Sequence, residues 1–395
     1  MRLGALALAI VLTGCASGPA LDNAEPMLQL KTNWQPVTGY LDSVVARGAA
    51  PGAVLGVTHD GRRFVYGTGR LGDADAARPG PATLYDLASL TKVVGLTSAM
   101  MLAVAEGKVE LDAPVQRYVP AFMGSGKDSV TVRLLLAHAS GLPAWRPLFR
   151  EVSTRKEAFA LVDTTPLESR PGSQDRYSDL GAIVLTQVVE AAYGERLDSL
   201  LERRIFRPLG LTSLRYLPPQ SWQPRIAPTE LDPWRGRVLR GEVHDENAAV
   251  MDGVSGHAGL FGSAEDLLTF AEWMLERMEG RTDGGSEHNS SSDSPTLRPS
   301  VLDQFTRPRT IVLGSSRALG WDTPAPGSSA GTLLSPQSIG HTGFTGTSLW
   351  IDPEHRLAIV LLSNRVHPTR NSPRWNPSRA RVADLVMTTL YQDLR

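Results

Sequence analysis

The chain has 395 residues, of which 42% are hydrophobic and 21% charged, and 40 Lys and Arg face 41 Asp and Glu for a formal net charge of −1 at pH 7. With both signs interspersed there is no basic stripe to hold nucleic acid, and no repeat marks a solenoid. Cys15 is the only cysteine, which excludes an intramolecular disulfide.

At the start, Met1-Arg2 carries positive charge and Leu3 to Leu12 is apolar, too short a run to span a bilayer. Residues 1–14 therefore read as a signal peptide and residues 15–36 as a tether. Leu12-Thr13-Gly14-Cys15 resembles the lipobox of bacterial lipoproteins. The resemblance implies cleavage before Cys15, lipidation of that cysteine, and a membrane-anchored protein of the cell envelope facing the periplasm. Ala16, where an Asp would favour the inner membrane, implies the outer one.

Residues 37–395 read as one domain. Gly52 to His59, Asp60-Gly61 and Arg62 to Gly67 predict a hairpin, since Asp-Gly supplies the positive φ of the turn. From Ser89 the period changes: Val93, Leu96, Met100 and Val104 lie at helical spacing and Gly107 ends the run. Thr131 reads as the N-cap of a helix through Leu136, with Gly141 and Pro143 as its stop. Leu180, Val184, Val188 and Ala192 predict another helix up to Gly194.

Residues 279–300 are too polar and too rich in Gly and Ser to bury, and read as a disordered surface insertion. A second Pro/Gly/Ser stretch runs from Thr323 to Gln337. Thr347 to Ile351 and Leu357 to Ser363, joined by Asp352-Pro353-Glu354-His355, predict a second hairpin. Val382, Leu385, Val386 and Leu390 mark a closing helix over Arg379 to Tyr391. Strands at both ends around a helical middle predict an α/β fold: an antiparallel sheet built from both chain ends, flanking helices, an inserted mainly helical lobe, and a site between sheet and lobe.

Three short motifs carry chemistry. Ser89-Leu90-Thr91-Lys92 sets a hydroxyl and an amine one helical turn apart, a nucleophile beside a base. The amine is a base near neutrality only if its pKa falls well below about 10.4. Tyr177-Ser178-Asp179 opens a helix, and His341-Thr342-Gly343 enters a strand. Singly, Ser89 reads equally as an N-cap, Lys92 as a solvated lysine and Tyr177 as a core-edge residue.

Together and in this order they resemble the serine β-lactamase and penicillin-binding-protein superfamily, in its class C β-lactamase-like branch. Leu84 to Lys92, Leu135 to Pro143, Phe206-Arg207-Pro208-Leu209-Gly210-Leu211 and Gly256-His257-Ala258-Gly259-Leu260-Phe261 extend the resemblance. Val243 to Ala248 and Asn364 to Pro368 are similar to penicillin-binding protein 4B-like D-alanyl-D-alanine carboxypeptidases. The resemblance implies a β-lactamase/transpeptidase-like fold, an acyl-enzyme on Ser89, and acid and base duties shared by Lys92 and Tyr177. It also implies an oxyanion hole made by the backbone N–H groups of Ser89 and Phe344, and no cofactor.

Two residues depart from that pattern. Asp179 stands where Asn is common, so it holds Lys92 as a cation and cannot donate to a substrate carbonyl. His341 stands where Lys is common and brings positive charge only when protonated. Both changes weigh against an efficient β-lactamase. Arg365 is the candidate for the missing charge, and Trp145, Phe149 and Trp234 are either core aromatics or a wall for an apolar acyl stem. His138 reads as a structural histidine bonded within its turn. His244, Asp245, Glu246 and His257 lack zinc-site spacings, so no metal is expected. The expected substrate is a peptidoglycan peptide, in a carboxypeptidase; a carboxylesterase or a penicillin-binding sensor with little turnover are the alternatives.

Overall fold

Every residue of Gly52–His59 and Leu357–Ser363 is apolar, Gly, Thr, Ser or His, and all but the half-buried His59 are buried; such runs fit strands covered on both faces. The computed structural model describes residues 32–280, 297–308, 311–372 and 374–393. The signal peptide, Cys15, nearly all of the tether and most of the polar insertion lie outside the described residues. The described residues from Asn33 onward form one unit.

The principal sheet is antiparallel, with five strands in the order Arg62–Gly69, Gly52–His59, Leu357–Ser363, Ser348–Asp352 and Ile339–Thr342. Its centre joins the two chain ends, with Val54 opposite Leu362 and Gly56 opposite Val360. Both expected hairpins are present. Side chains alternate between two cores because strand periodicity is two. Leu55, Val57, Ile359 and Leu361 pack with Val37 and Leu41 of the helix Gln35–Ala46 and with Val382 and Val386 of the helix Asn376–Asp393. Val54, Ala358, Val360 and Leu362 face the opposite way, into the core shared with Leu267 and Leu268 of the helix Ala264–Met278 and with the helical lobe. Gly56 lets that helix approach, since a Cβ there would sit 3.1 Å from Leu268 Cδ1.

Several boundaries shift from those expected. The tether ends at Trp34, because Gln35–Ala46 is already helical and buries Val37, Leu41 and Val44. The turn at Ala137 and His138, where His138 adopts φ +54°, ends the helix Val132–Leu136 before Gly141 is reached. The polar insertion is narrower than 279–300: Glu279 caps the preceding helix and Pro299 opens the next, Pro299–Thr306. The segment after Ser89 begins as a π-helical stretch, Thr91–Thr97, and becomes α-helical only at Ser98–Ala105. Its β-branched residues and Gly95 are weak α-helix formers, and such widened turns recur at functional sites.

Candidate active site

A short strand, Tyr85–Asp86, pairs with Leu260–Gly262 and delivers the chain to Ser89. Between them Ala88 takes φ +47°, a conformation uncommon for a residue with a Cβ, and its N–H is held by Asp86 Oδ1 at 2.8 Å. Asp86 also accepts the His244 N–H at 2.6 Å, and burial pushes its carboxyl up despite both bonds. This braced elbow fixes the direction of Ser89.

Lys92 is 3% exposed and its Nζ has three neighbours: Ser89 Oγ at 3.1 Å, the His257 carbonyl at 3.0 Å and Asp179 Oδ1 at 2.7 Å. Those match the three donors of an ammonium. Burial works to lower the Lys92 pKa, but the Asp179 carboxylate and Tyr177 outweigh it and the net shift is upward. The depressed amine that a resting base requires is therefore absent, and Asp179 holds the cation.

The second motif distributes its three side chains in three directions. Ser178 caps the helix Asp179–Tyr193, accepting the Gly181 N–H at 3.1 Å and donating to Pro143 O at 2.7 Å. Asp179, the first helical residue, faces Lys92. Tyr177, just before the cap, donates from Oη to Ser89 Oγ at 2.8 Å. Burial pushes its phenol up to about 12, against the pull of Lys92, so it is a neutral phenol at neutral pH. His138 Nδ1 accepts the Ser178 N–H at 3.1 Å, and burial, then Arg317, drives its pKa well below the usual value. It is structural, but it braces the second motif rather than its own turn.

The third motif enters from the strand Ile339–Thr342. Burial lowers the His341 pKa in spite of Asp322, and its Nδ1 lies 2.7 Å from the Thr342 carbonyl, so the ring is neutral. After Thr342, the turn Gly343 to Thr347 closes on itself through Gly343 N–H to Thr347 O at 2.8 Å. Thr345 and Thr347 hydroxyls then donate to the Asp86 and Leu87 carbonyls at 2.7 and 3.0 Å. Those two bonds tie the turn carrying Phe344 to the elbow carrying Ser89. Neither the Ser89 nor the Phe344 amide hydrogen meets a protein acceptor among the described residues. Sequence reasoning missed Asp86, Thr345 and Thr347, whose partnerships span from 158 to 260 residues.

Arg365 does not supply cleft charge. It is buried, its guanidinium lies 4.7 Å from the Phe344 ring centroid, and its Nη1 donates to the Ser372 and Arg370 carbonyls at 3.0 and 3.3 Å. A cation near the site that the sequence did not single out is Arg317, 5.9 Å from the Tyr177 ring and paired with both Asp175 and Asp322. It lines a cavity of about 630 Å³ with Thr342, Asn376 and Arg379. Trp145 and Trp234 are about half exposed, not core, and Trp234 meets Phe149 edge-on at 5.1 Å. Trp145 follows Ala144, whose carbonyl accepts the Asp179 N–H at 2.9 Å, so it sits beside the second motif. The metal-like residues pair off instead: His244 with Glu230 and His257 with Asp245, each at 2.9 Å.

A family model described as Beta-lactamase matches residues 37–384. A protein of Escherichia coli (strain K12) named "Putative D-alanyl-D-alanine carboxypeptidase" is 34% identical over 338 residues, covering 78% of this chain and 75% of its own. Among solved structures, a class C beta lactamase from Rhodobacter sphaeroides aligns with TM-score 0.69 and 24% identity over 90% of this chain and 99% of its own. EstCE1, a hydrolase with promiscuous acyltransferase activity, aligns with TM-score 0.69 and 22% identity over 89% and 98%. The matched span takes in all three motifs that converge on Ser89, and the chain belongs to the beta-lactamase family.

Proposed function

We propose that the protein is a serine hydrolase working through an acyl-enzyme on Ser89, of the D-alanyl-D-alanine carboxypeptidase type, acting on cell-wall peptides. The observation that carries the reading is the convergence of Lys92 Nζ and Tyr177 Oη on Ser89 Oγ, at 3.1 and 2.8 Å, with the Ser89 and Phe344 N–H groups meeting no protein acceptor among the described residues. Ser89 Oγ attacks the acyl carbonyl and the oxyanion forms against the Ser89 and Phe344 amides. Lys92 in its amine form takes the serine proton, and the Tyr177 phenol protonates the leaving amine. Water then releases the acyl group by the reverse of these transfers.

The choice of a peptide ending in D-alanine rests on the name of the Escherichia coli relative. A specific observation favours a second reading, a carboxylesterase: His341 is neutral and Arg317 is paired with two carboxylates, so neither offers the wall beside Thr342 a free positive charge. A lipid anchor on Cys15 holding the enzyme in the cell envelope is part of the proposal, supported by Leu12-Thr13-Gly14-Cys15.

A soluble form starting at about Leu28 tests the choice. Release of D-alanine from a cell-wall pentapeptide supports the carboxypeptidase, and rapid turnover of p-nitrophenyl esters without D-alanine release selects the esterase. Labelling by a fluorescent penicillin with neither turnover selects the sensor.

A further inference from the structure

The Gly343–Phe344 peptide has the oxyanion site at one end and a buried guanidinium at the other. Arg379, 8% exposed on the helix Asn376–Asp393, donates from Nη2 to the Gly343 carbonyl at 2.7 Å. Its Nη1 donates to Asn376 Oδ1 at 3.1 Å, and its Nε has no partner. No carboxylate pairs with it among the described residues; its charged neighbour is a second buried cation, Arg365. Burial, and then Arg365, lower the Arg379 pKa to about 10. A buried cation with no anion is costly, and the peptide that Arg379 is bonded to carries the Phe344 N–H at its other end.

We propose that Arg379 is a positioning and polarising residue of the oxyanion hole, acting through the Gly343–Phe344 peptide on the Phe344 N–H. The inference rests on the acyl-enzyme reading above. As the Ser89 Oγ–carbon bond forms and the carbonyl π pair moves to oxygen, the guanidinium draws electron density toward the Gly343 oxygen. The Phe344 N–H becomes a stronger donor, by the cooperativity of linked hydrogen bonds in a low-dielectric setting. Further contacts hold the turn itself. Gly343 O also accepts the Gly346 N–H at 3.1 Å, and Gly346 O is held by buried Trp375 Nε1 at 2.8 Å. Gly346, with φ +118°, leaves no room for a side chain, since a Cβ would lie 2.1 Å from Ser363 Oγ. The guanidinium therefore acts on a peptide plane that is already set.

The test uses the full chain in detergent and p-nitrophenyl acetate, an ester with no carboxylate. Arg379→Gln is expected to lower kcat by about tenfold to a hundredfold with KM within about twofold, less than the loss of a direct oxyanion donor. Affinity for a small boronic acid, which forms a tetrahedral adduct on serine, falls by the same factor. Arg379→Lys keeps the charge and is expected to recover most of kcat. If Arg379→Gln does not fold, Arg379→Met, which also removes the charge, serves in its place with the same fall in kcat expected. Unchanged kcat on the neutral ester in a folded variant overturns the proposal. So does a loss confined to substrates bearing a carboxylate, which would make Arg379 a substrate clamp. Absence of any Ser89 adduct in the unmutated protein is a different failure, that of the acyl-enzyme reading itself.

Discussion

Lys92 Nζ stands 2.7 Å from Asp179 Oδ1 and 3.1 Å from Ser89 Oγ, so a single ammonium is shared between an anion and the nucleophile. Asp179 thereby stabilises the protonation state in which Lys92 cannot act as a base.

The first prediction follows from that pair. Because Asp179 raises the Lys92 pKa above its ordinary value, kcat/KM should climb with pH through the whole range from about 7 to 10 without a plateau near neutrality. Asp179→Asn removes the main upward influence and leaves burial, which lowers the pKa. The rising limb should then move to lower pH, seen in a pH-rate profile of ester hydrolysis. A raised lysine pKa also stabilises the fold below about pH 10.4, and that contribution is lost as pH climbs through the folded-state value. Asp179→Asn should thus melt at a lower temperature at pH 7, with the difference shrinking toward alkaline pH.

Tyr177→Phe deletes the 2.8 Å bond to Ser89 Oγ while keeping the buried ring. Loss of one positioned acid is expected to lower kcat by about 10²- to 10⁴-fold. The loss should be greater for amides than for p-nitrophenyl esters, whose leaving group departs without a proton. Equal losses on both would contradict the assignment of Tyr177 as the acid.

Gly343→Ala probes the tie between the two halves of the oxyanion hole. A Cβ at Gly343 would lie 2.0 Å from Thr347 Oγ1 and 2.4 Å from the Leu87 carbonyl, so the turn must withdraw from the Ser89 elbow. We expect kcat to fall by at least about 10²-fold, comparable to losing an oxyanion donor, and a destabilisation of about 1–3 kcal/mol from overpacking. Steady-state kinetics and thermal melting of the variant measure both.

Glu230 governs acid stability near the site. Burial alone would raise its pKa, but hydrogen bonds from His244 and from the Arg370 backbone and guanidinium bring it down to about 2. A depressed carboxylate contributes stability above its unfolded value of about 4.3, lost as pH falls through about 2. Glu230→Gln should flatten the stability curve between about pH 4.5 and 2, measured by urea unfolding at each pH.

Local patterns made much of this legible. The turn Asp60-Gly61, the cap Thr131 and the stop Gly194 are short-range devices, and each acts where the sequence placed it. The Ser89, Lys92 and Tyr177 convergence was available from motif order. What stayed hidden depends on long-range pairing: Thr345 and Thr347 find their carbonyl partners on a segment that only the folded sheet brings near. Charge states were legible in part. That Asp179 holds Lys92 as a cation follows from residue type, whereas burial decides that His341 is neutral. Arg317 and Arg365 show the same limit, since an arginine's number along the chain says nothing of which carboxylates or carbonyls await it.

The most direct test of the central claim is covalent labelling of Ser89. The protein is treated with a fluorophosphonate or a penicillin, digested, and the adduct mapped by mass spectrometry, with Ser89→Ala as control. The account predicts a stoichiometric adduct on Ser89 that forms faster as pH rises and is slowed in Tyr177→Phe. Full hydrolytic activity in Ser89→Ala, or an adduct on a different serine, would contradict it.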